Sequence, residues 1–585
     1  MIDLEINLSK LNPTLLAVLK GRLEQIADEM DATLFRSAFN PIIAEAHDAS
    51  HGLYHKETGE TLVQGKSGLP VFVGAMAFAV NSVIEKVKSE NITLRKGDIF
   101  IFNDPYEGGT HLSDFKLVCP FFNDEKLFCF LASVGHWHDV GGNVPGNYNP
   151  VATECYQEGI LIPPVYLYRE GIINDDIVTI LQSNSRLPAS LYGDLNAQVS
   201  ALDLGKKRLN ELLNEYGEEI INNTLSELKR SAAKLMASYI EDLPDGRYAS
   251  FDWLDNDGIN DEQLKIGLEL VVEGGRMTLD FTPTTGACAG PVNISSSTCI
   301  AACYVALKHI FRDVPANAGV LDPIDFIIPA DSLLSVKRPK PVGGYTETIL
   351  RVIDVIFQAM SKIAPEMSNG CAYGTINALS MAGYRKNGDR WVMFSFFGGG
   401  HGGHPMGDGL NHGNAPISTA TIPPLEIMEA AYPVRFTQWS LRPDSGGPGK
   451  HRGGCGAIYE IELLEERAEA CLVGERGKSP PPGVAEGNPG ARNKIVFPDS
   501  DGKLITPPMV SKAVGIQLKQ GQKVLLKTPG GGGYGNWLDR DPELVAEDVR
   551  LGYVTPYGAL RDYCCSISED GVLDVEETRR LRRGQ

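Results

Sequence analysis

The sequence predicts an α+β chain in which helices and several sheets are mixed rather than segregated. Three observations carry that prediction. Apolar residues recur at helical spacing through two long stretches, 13–39 and 196–240. Apolar and polar residues alternate in runs bounded by Gly, Asn and Asp at 115–134 and 245–290. From Trp391 onward, glycine-dense segments separate short strand-like runs, and the chain then returns to helical pattern.

Taken in order, Asn12-Pro13 opens the first helix, with Asn as its cap and Pro at the first helical position. Leu15, Leu16, Leu19, Leu23, Ile26, Met30 and Leu34 bury one face, and Pro41 stops the helix by disfavouring helical geometry at Asn40. Ile42 to His55 reads as a strand entering a hairpin, with a turn at Thr58-Gly59. In such a strand His47 and Asp48 face opposite sides. Gly59 to Ser67 has the look of a phosphate-binding loop, but five residues separate its glycines where that loop has four. Gly68-Leu-Pro70 also stands where its helix should begin, so the chain is read as having no nucleotide site of its own.

Val73 to Lys88 is a predicted helix, Arg95 to Asp98 a turn, and Ile99 to Phe102 a short buried strand. Residues 143–164 are rich in Gly, Asn and Pro, a long loop of functional character. Strands follow over 245–290, with turns at Asp255 to Gly258 and Glu273 to Gly275, and then helices over Ser295 to Phe311 and Thr348 to Met360. Ala457 to Leu464 and Ala468 to Val473 are strands of a β-rich portion, and Glu543 to Gly552, the stretch after Pro556 and Asp574 to Arg583 make a helical tail. No repeat of solenoid period is present. The expected division is 1–240 as a metal-bearing α/β portion, 241–425 mixed, 426–535 β-rich and 536–585 helical.

A formal net charge of -20 leaves nothing basic enough to neutralise phosphates, which argues against nucleic acid as a partner. Arg579 to Arg583 is the one basic cluster, and a solvated helix end explains it. Met1-Ile-Asp-Leu-Glu-Ile-Asn lacks the pattern of a signal peptide, and no apolar run is read as approaching membrane-spanning length. The 11 cysteines include no CxxC pair, and Cys564-Cys565 are adjacent. A reduced, cytoplasmic protein off the membrane is expected.

The chemistry concentrates in Asn103-Asp-Pro-Tyr-Glu-Gly-Gly-Thr-His-Leu-Ser-Asp114 and His136-Trp-His-Asp-Val-Gly-Gly142. The apolar run between them, broken near Asn123-Asp124, reads as a hairpin, which returns His111 and Asp114 to the side of His136. Two imidazoles and a carboxylate converging suit a divalent metal, with Asp48 the best upstream fourth ligand. A set of two histidines and two carboxylates fits zinc, manganese or ferrous iron. His138 and Asp139 are candidates for proton transfer beside the ion, His138 by sharing the side of His136 in a continued strand. His47, His51 and His55 lack an acidic partner at fixed spacing. His401, His404 and His412 have Asp408 alone, so structural or substrate-loop roles are expected of them.

These residues also carry a resemblance. Leu34-Phe-Arg-Ser-Ala38, Asp48, Asn103-Asp-Pro-Tyr-x-Gly-Gly-Thr-His-x-x-Asp114 and His136-x-x-Asp-Val-Gly-Gly142 are similar to motifs of the hydantoinase B/5-oxoprolinase family. So are Asn184-x-Arg186, Gly193-Asp-Leu-x-Ala-Gln198 and Asp444-Ser-Gly-Gly-x-Gly-x-x-Arg-Gly-Gly454. The family includes B subunits of ATP-dependent hydantoinases, lactamases and oxoprolinases, with ketone carboxylase subunits as distant members. The resemblance implies a metal held by Asp48, His111, Asp114 and His136. It also implies an A-type partner of actin-like fold that binds ATP and magnesium, two chains of each kind. One departure is Ala49-Ser-His-Gly52, where many hydantoinases carry Phe-Ser-Cys. The expected activity is ATP-dependent hydrolysis of a cyclic amide. The partner phosphorylates the substrate, and the metal of this chain, zinc first, supplies hydroxide by lowering the pKa of water towards ~7 or holds bicarbonate. A ketone carboxylase subunit is the alternative, and a metal-stabilised scaffold the second.

Overall fold

The computed structural model describes residues 11–418 and 420–584, so the reading of the first seven residues falls outside the described part. Helix α1 (Pro13–Ser37) is capped as its sequence predicts, the Asn12 side chain accepting the Leu15 N–H at 2.8 Å. One expectation fails directly after it. Pro41–Ala44 is a single helical turn, α2, capped by the Asn40 side chain, where a strand was expected. Asn-Pro sets up a helix start as readily as it ends one. The chain then passes through His47 in the left-handed region (φ 60°) before strand β1 (Ala49–His55) begins.

β1 opens a seven-stranded antiparallel sheet with β2 (Thr61–Gln64), β3 (Ile99–Phe102), β4 (Asp114–Asn123), β5 (Lys126–His136), β6 (Val165–Arg169) and β7 (Ile172–Ile173). Its spatial order is β2-β1-β5-β4-β3-β6-β7. Strand β2 occupies the middle of the loop that imitated a phosphate site. Both faces of the sheet are covered, so all four residues of β3 are buried. Phe115, Leu117 and Leu131 pack with α1 and the long pair α5 (Pro188–Tyr216) and α6 (Glu218–Glu241). Val118, Ala132 and Val134 face a second core shared with α3 (Pro70–Ser89), α7 (Ser296–Ile310) and α8 (Tyr345–Ile363). Helix α4 (Asp175–Asn184) and the early start of α5 at Pro188 were not foreseen.

Helix α3 corrects the reading of the apolar runs. Its 20 residues are long and apolar enough by composition to cross a membrane. It is nonetheless built into the core, lying so close to α7 that a Cβ on Gly74 would come within 2.6 Å of the Ala301 Cα.

Strands β8 (Gly246–Leu254), β9 (Leu264–Glu273), β10 (Arg276–Asp280) and β11 (Ile324–Ile327) form a second sheet, with α8 against it. Two further sheets share one core. The first contains Ala378–Tyr384, Arg390–Ser395, Arg467–Val473 and Lys512–Lys519; the second includes Val434–Leu441, Ala457–Leu463 and Lys523–Lys527. Beside them the glycine-dense segments form one body around Gly530 to Gly533. Gly531 donates its N–H to the Gly454 carbonyl (3.0 Å), and the Gly403 and Gly447 N–H groups reach the Gly532 and Gly531 carbonyls (2.9 and 2.8 Å). A Cβ at any of the four would lie 1.9 to 2.1 Å from a carbonyl oxygen, of Ser445, His401, Pro482 and Pro448 in turn. Close backbone approach requires glycine here.

Candidate metal centre

The β4–β5 hairpin pairs in register from Asn123↔Lys126 at its turn to Asp114↔His136 at its open end, with one irregularity near Phe121. A residue pair facing across two strands stands on one face, so Asp114 and His136 project together. Strand β1 runs along the far side of β5 with Ala49 opposite Gly135, and the His136 N–H donates to the Asp48 carbonyl at 3.1 Å. His111 lies in the turn just before β4, its carbonyl accepting the Asp114 N–H at 3.4 Å. The ligand atoms of His111, Asp114 and His136 all lie within 4.8 Å of one another. His111 Nε2 is 3.1 Å from Asp114 Oδ1, and the two imidazole centroids are 5.1 Å apart.

Helix α5 locks this geometry. The Gln198 amide donates to the Phe115 carbonyl (3.1 Å) and the Ser133 hydroxyl (3.2 Å), and accepts the Trp137 indole N–H (2.8 Å). One side chain thus ties both strands of the hairpin. Asp194 accepts the N–H groups of Phe39 and Asn40 (2.8 and 3.1 Å), and the Asn40 amide donates to the His136 carbonyl (2.8 Å). Gly193 leaves room for the Phe39 ring, which a Cβ would meet at 2.3 Å. The motif Gly193-Asp-Leu-x-Ala-Gln198 is therefore a brace for the hairpin end.

Both ring nitrogens of His136 are buried without a hydrogen-bond partner, and His111 Nε2 and Asp114 Oδ1 face each other at 3.1 Å with no further partner. Buried polar atoms are nearly always satisfied, so two orphaned nitrogens beside a facing imidazole and carboxylate fit an ion that the donor set suits. Burial pushes the Asp114 carboxyl up, but His111, with His136 assisting, holds it well below the usual carboxylate range. Burial, then the neighbouring His111, lowers His136 to about 3, so at neutral pH it is an uncharged ligand. The Thr110 hydroxyl donates to the other Asp114 oxygen.

Asp48, the expected fourth ligand, stands beside this set but outside the group within 4.8 Å. Its carboxylate forms part of the wall of an adjoining cavity, and burial, then the Asp114 charge, raises its pKa well above the usual range. Strand pairing stops at His136, so His138 and Asp139 follow it in a loop rather than in a continued strand. The His138 ring meets Tyr432 edge-on at 6.3 Å, and burial lowers it to about 4. Asp139 has both oxygens engaged: Oδ1 by the N–H groups of Gly141 and Arg186, and Oδ2 by the Gly146 N–H and the Arg186 guanidinium (3.0 Å). Asp139 pins its loop, and its oxygens are taken there rather than by the histidines.

The other histidines have local partners. His51 is paired with Asp31 at 2.7 Å, His47 stacks on Phe35, His401 contacts the Asn414 carbonyl, and His412 accepts from Trp439 at 3.1 Å. Four residues near the site had no sequence signal. Tyr345 lies 4.8 Å from the His111 ring, and Phe394 stacks on His136 at 5.5 Å and on Tyr148 at 4.8 Å. Lys116, buried two residues beyond Asp114, has no partner for its ammonium, which burial lowers to about 8 against the pull of Asp114.

Fold and site together define a multi-sheet α+β protein with a buried cluster of two histidines and an aspartate, able to hold a metal ion, at the end of a braced hairpin. The hydantoinase B/oxoprolinase family model matches residues 12–537, and the chain belongs to that family. It is 33% identical over 570 residues to an uncharacterised protein of Methanocaldococcus jannaschii, covering 97% of this chain and 98% of that one. It is 30% identical over 593 residues to the caprolactamase β subunit of Pseudomonas jessenii, covering 98% and 100%. The crystal structure of the ATP-dependent caprolactamase from that organism superposes with a TM-score of 0.87 at 28% identity, covering 98% and 100%. A nucleotide-free acetone carboxylase chain shares the fold with a TM-score of 0.90 at 20% identity, covering 99% and 83%.

Proposed function

We propose that the chain is the metal-bearing subunit of an ATP-dependent hydrolase of cyclic amides of the lactam, hydantoin or oxoproline type. It works in the cytoplasm, where ATP is supplied, with an ATP-binding A-type partner, two chains of each. The observation that carries this reading is the convergent, buried His111–Asp114–His136 set on a braced hairpin, in a chain similar along its length to a caprolactamase β subunit.

His111, Asp114 and His136 would hold the ion, with Asp48 completing the set. Zinc suits it, and manganese or iron is compatible. A bound divalent ion would supply Lewis-acid polarisation of water or of the amide carbonyl. On the partner, transfer of the γ-phosphoryl group to the amide oxygen yields ADP and an activated imidate. Water then adds at that carbon and the C–N bond breaks as the ring nitrogen takes a proton, leaving an open-chain acyl phosphate. A second water releases phosphate and the amino acid. The residues of this chain position those steps. His136 stays uncharged at neutral pH, and His138, also uncharged, has a free Nε2 to accept a proton.

Purified two-subunit enzyme tests the reading with lactams, hydantoins and ketones, each with ATP and with or without bicarbonate. Metal-dependent release of an open-chain amino acid is expected. Carboxylation of a ketone would transfer the assignment to a carboxylase, and ATP turnover indifferent to metal removal would reduce this chain to a scaffold.

A further inference from the structure

The seven-stranded sheet ends at β2, and among the described residues no strand pairs with the outer side of β2. The Gly65 N–H reaches the His51 carbonyl at 3.4 Å, and Leu53 stands opposite Val63, so Val63 and Gly65 face β1. By the alternation of an antiparallel ladder, Leu62 and Gln64 turn their backbone N–H and C=O groups outward. A cavity of about 370 Å³ lies against this strand, and its walls come from both layers that cover the sheet. Lys20 and Glu24 of α1 stand on one face, and Tyr304 and Lys308 of α7 on the other. A space bounded by the last strand and by helices of opposite faces is the place where a further strand runs. Sheet edges are ordinarily paired, covered or blunted. Gln64 and Tyr304, 8% and 4% exposed, form part of the wall, and Gln64 Oε1 and the Tyr304 hydroxyl are buried with no partner. Polar atoms so placed are nearly always satisfied.

One stretch of this chain has the pattern, the charge and the reach to cover the edge. In the sequence, outside the described residues, Ile2, Leu4, Ile6 and Leu8 alternate with Asp3, Glu5, Asn7 and Ser9, the period of a strand with one apolar face. The cavity offers that face Val73, Tyr304, Val314 and Pro315. Its lining carries Lys20, Lys66, Lys308 and Arg312 against Glu24 and Asp313, a positive surplus in a chain of net charge -20. Glu24 serves both Lys66 (3.2 Å) and Lys20 (3.8 Å), one carboxylate between two ammonium groups. Residues 2–9 bring two carboxylates and no base. Leu11, which follows them, is partly buried against the core that α1 shares with the sheet. From Pro13, the first residue of α1, Lys20 and Glu24 lie about 10 and 16 Å along the helix axis. Residues 2–10, extended, span about 30 Å.

We propose that residues 2–9 dock in this cavity of their own chain as an added strand along β2. Their apolar side chains face Tyr304 and Val314, and Asp3 and Glu5 face Lys20 and Lys66. The inference goes beyond the hydrolase reading and does not depend on it. Hydrogen exchange read by mass spectrometry tests it on the full chain, on a chain lacking residues 2–9 and on Ile6→Asp. In the full chain the peptides spanning 2–9 and 60–66 should both be protected. Truncation should speed exchange in 60–66 by about 10-fold or more, Ile6→Asp should act in the same direction, and a synthetic peptide of residues 1–10 should restore protection to the truncated chain. A 2–9 segment that exchanges at the unprotected rate, with 60–66 unmoved by truncation, overturns the inference. Protection that vanishes on dilution would give the cavity to the segment of a second copy, and protection that arises only with the A-type subunit would give it to that subunit. Either result overturns docking within the chain.

Discussion

The open end of the β4–β5 hairpin and the glycine body around Gly530 to Gly533 are both dry meeting points of distant segments, but opposite parts of the chain build them. At the hairpin, side chains do the work: imidazoles and a carboxylate converge, Gln198 and Asn40 brace them, and aromatic rings pack around them. At the glycine body, side chains are excluded and backbone N–H and C=O groups pair across segments in near contact. The first region has chemistry that can be deleted while the frame stands. The second has no chemistry to delete, and its tolerance for any added atom is close to nil.

The largest effect is therefore expected in the region without reactive groups. Gly531→Ala places a Cβ 1.9 Å from the His401 carbonyl oxygen and 2.2 Å from its carbon, both backbone atoms that cannot swing away. A loss of at least about 4 kcal/mol is expected, enough to deplete folded protein. Yield and a urea titration read it, and a soluble variant with the wild-type midpoint would show that the glycine body yields where the geometry says it cannot.

Next come the ligands. His111→Ala, Asp114→Ala, His136→Ala and Asp48→Ala should each lose metal and ATP-dependent turnover, because four-ligand sites keep little affinity with one ligand gone. Far-UV circular dichroism should stay near wild type, in contrast to Gly531→Ala. His138→Ala should keep its metal and lose rate by about 10- to 100-fold. Elemental analysis with turnover on all five variants separates the groups, and a His138→Ala protein that loses metal while His111→Ala retains it would reverse the assignment.

The same contrast explains what was legible in the sequence. The hairpin could be read because its information is local: two apolar runs, a turn at Asn123-Asp124 where Asp124 takes a φ of 49°, and ligand residues at both ends. Register followed from the turn. The glycine segments were visible as composition, but their purpose was not, since the carbonyl groups that meet Gly530 to Gly533 lie between 50 (Pro482 from Gly532) and 130 (His401 from Gly531) residues away. The cavity beside the metal centre failed for a related reason. Tyr148, Thr346 and Phe394 come from three separated stretches and look like ordinary core residues within each one. The strand was expected to alternate past His136, its last paired residue, and α2 was missed because Asn-Pro was read as a stop alone.

A smaller effect sharpens the bracing of the hairpin. Burial pushes the Asp194 carboxyl up to about 7, against the N–H groups of Phe39 and Asn40, which draw it down. Between about pH 4 and 7 the folded chain then holds a proton that the unfolded chain has released. Stability contributed through this group falls as pH rises across that window and levels off above it. Asp194→Asn keeps both N–H bonds, since one oxygen accepts both, and should remove that part of the slope. The check is the difference in urea midpoint between variant and wild type at pH 5 and pH 7.5; an identical slope in the two proteins would deny Asp194 the proton.

The smallest effect uses a glycine of the opposite kind. Gly21 lies on the exposed side of α1 with nothing within 4 Å of an added Cβ, and its backbone is helical. Here glycine brings no close approach, only the entropy lost on ordering it. Gly21→Ala should stabilise α1 by about 0.8 kcal/mol, slowing exchange of the α1 amides that open locally by about 4-fold. Metal content and turnover should be unchanged. If Gly21→Ala instead destabilises the protein as Gly531→Ala does, the exposed face of α1 is covered by another surface in the assembled enzyme, and the A-type partner is the first to test by comparing exchange in the free chain and in the complex.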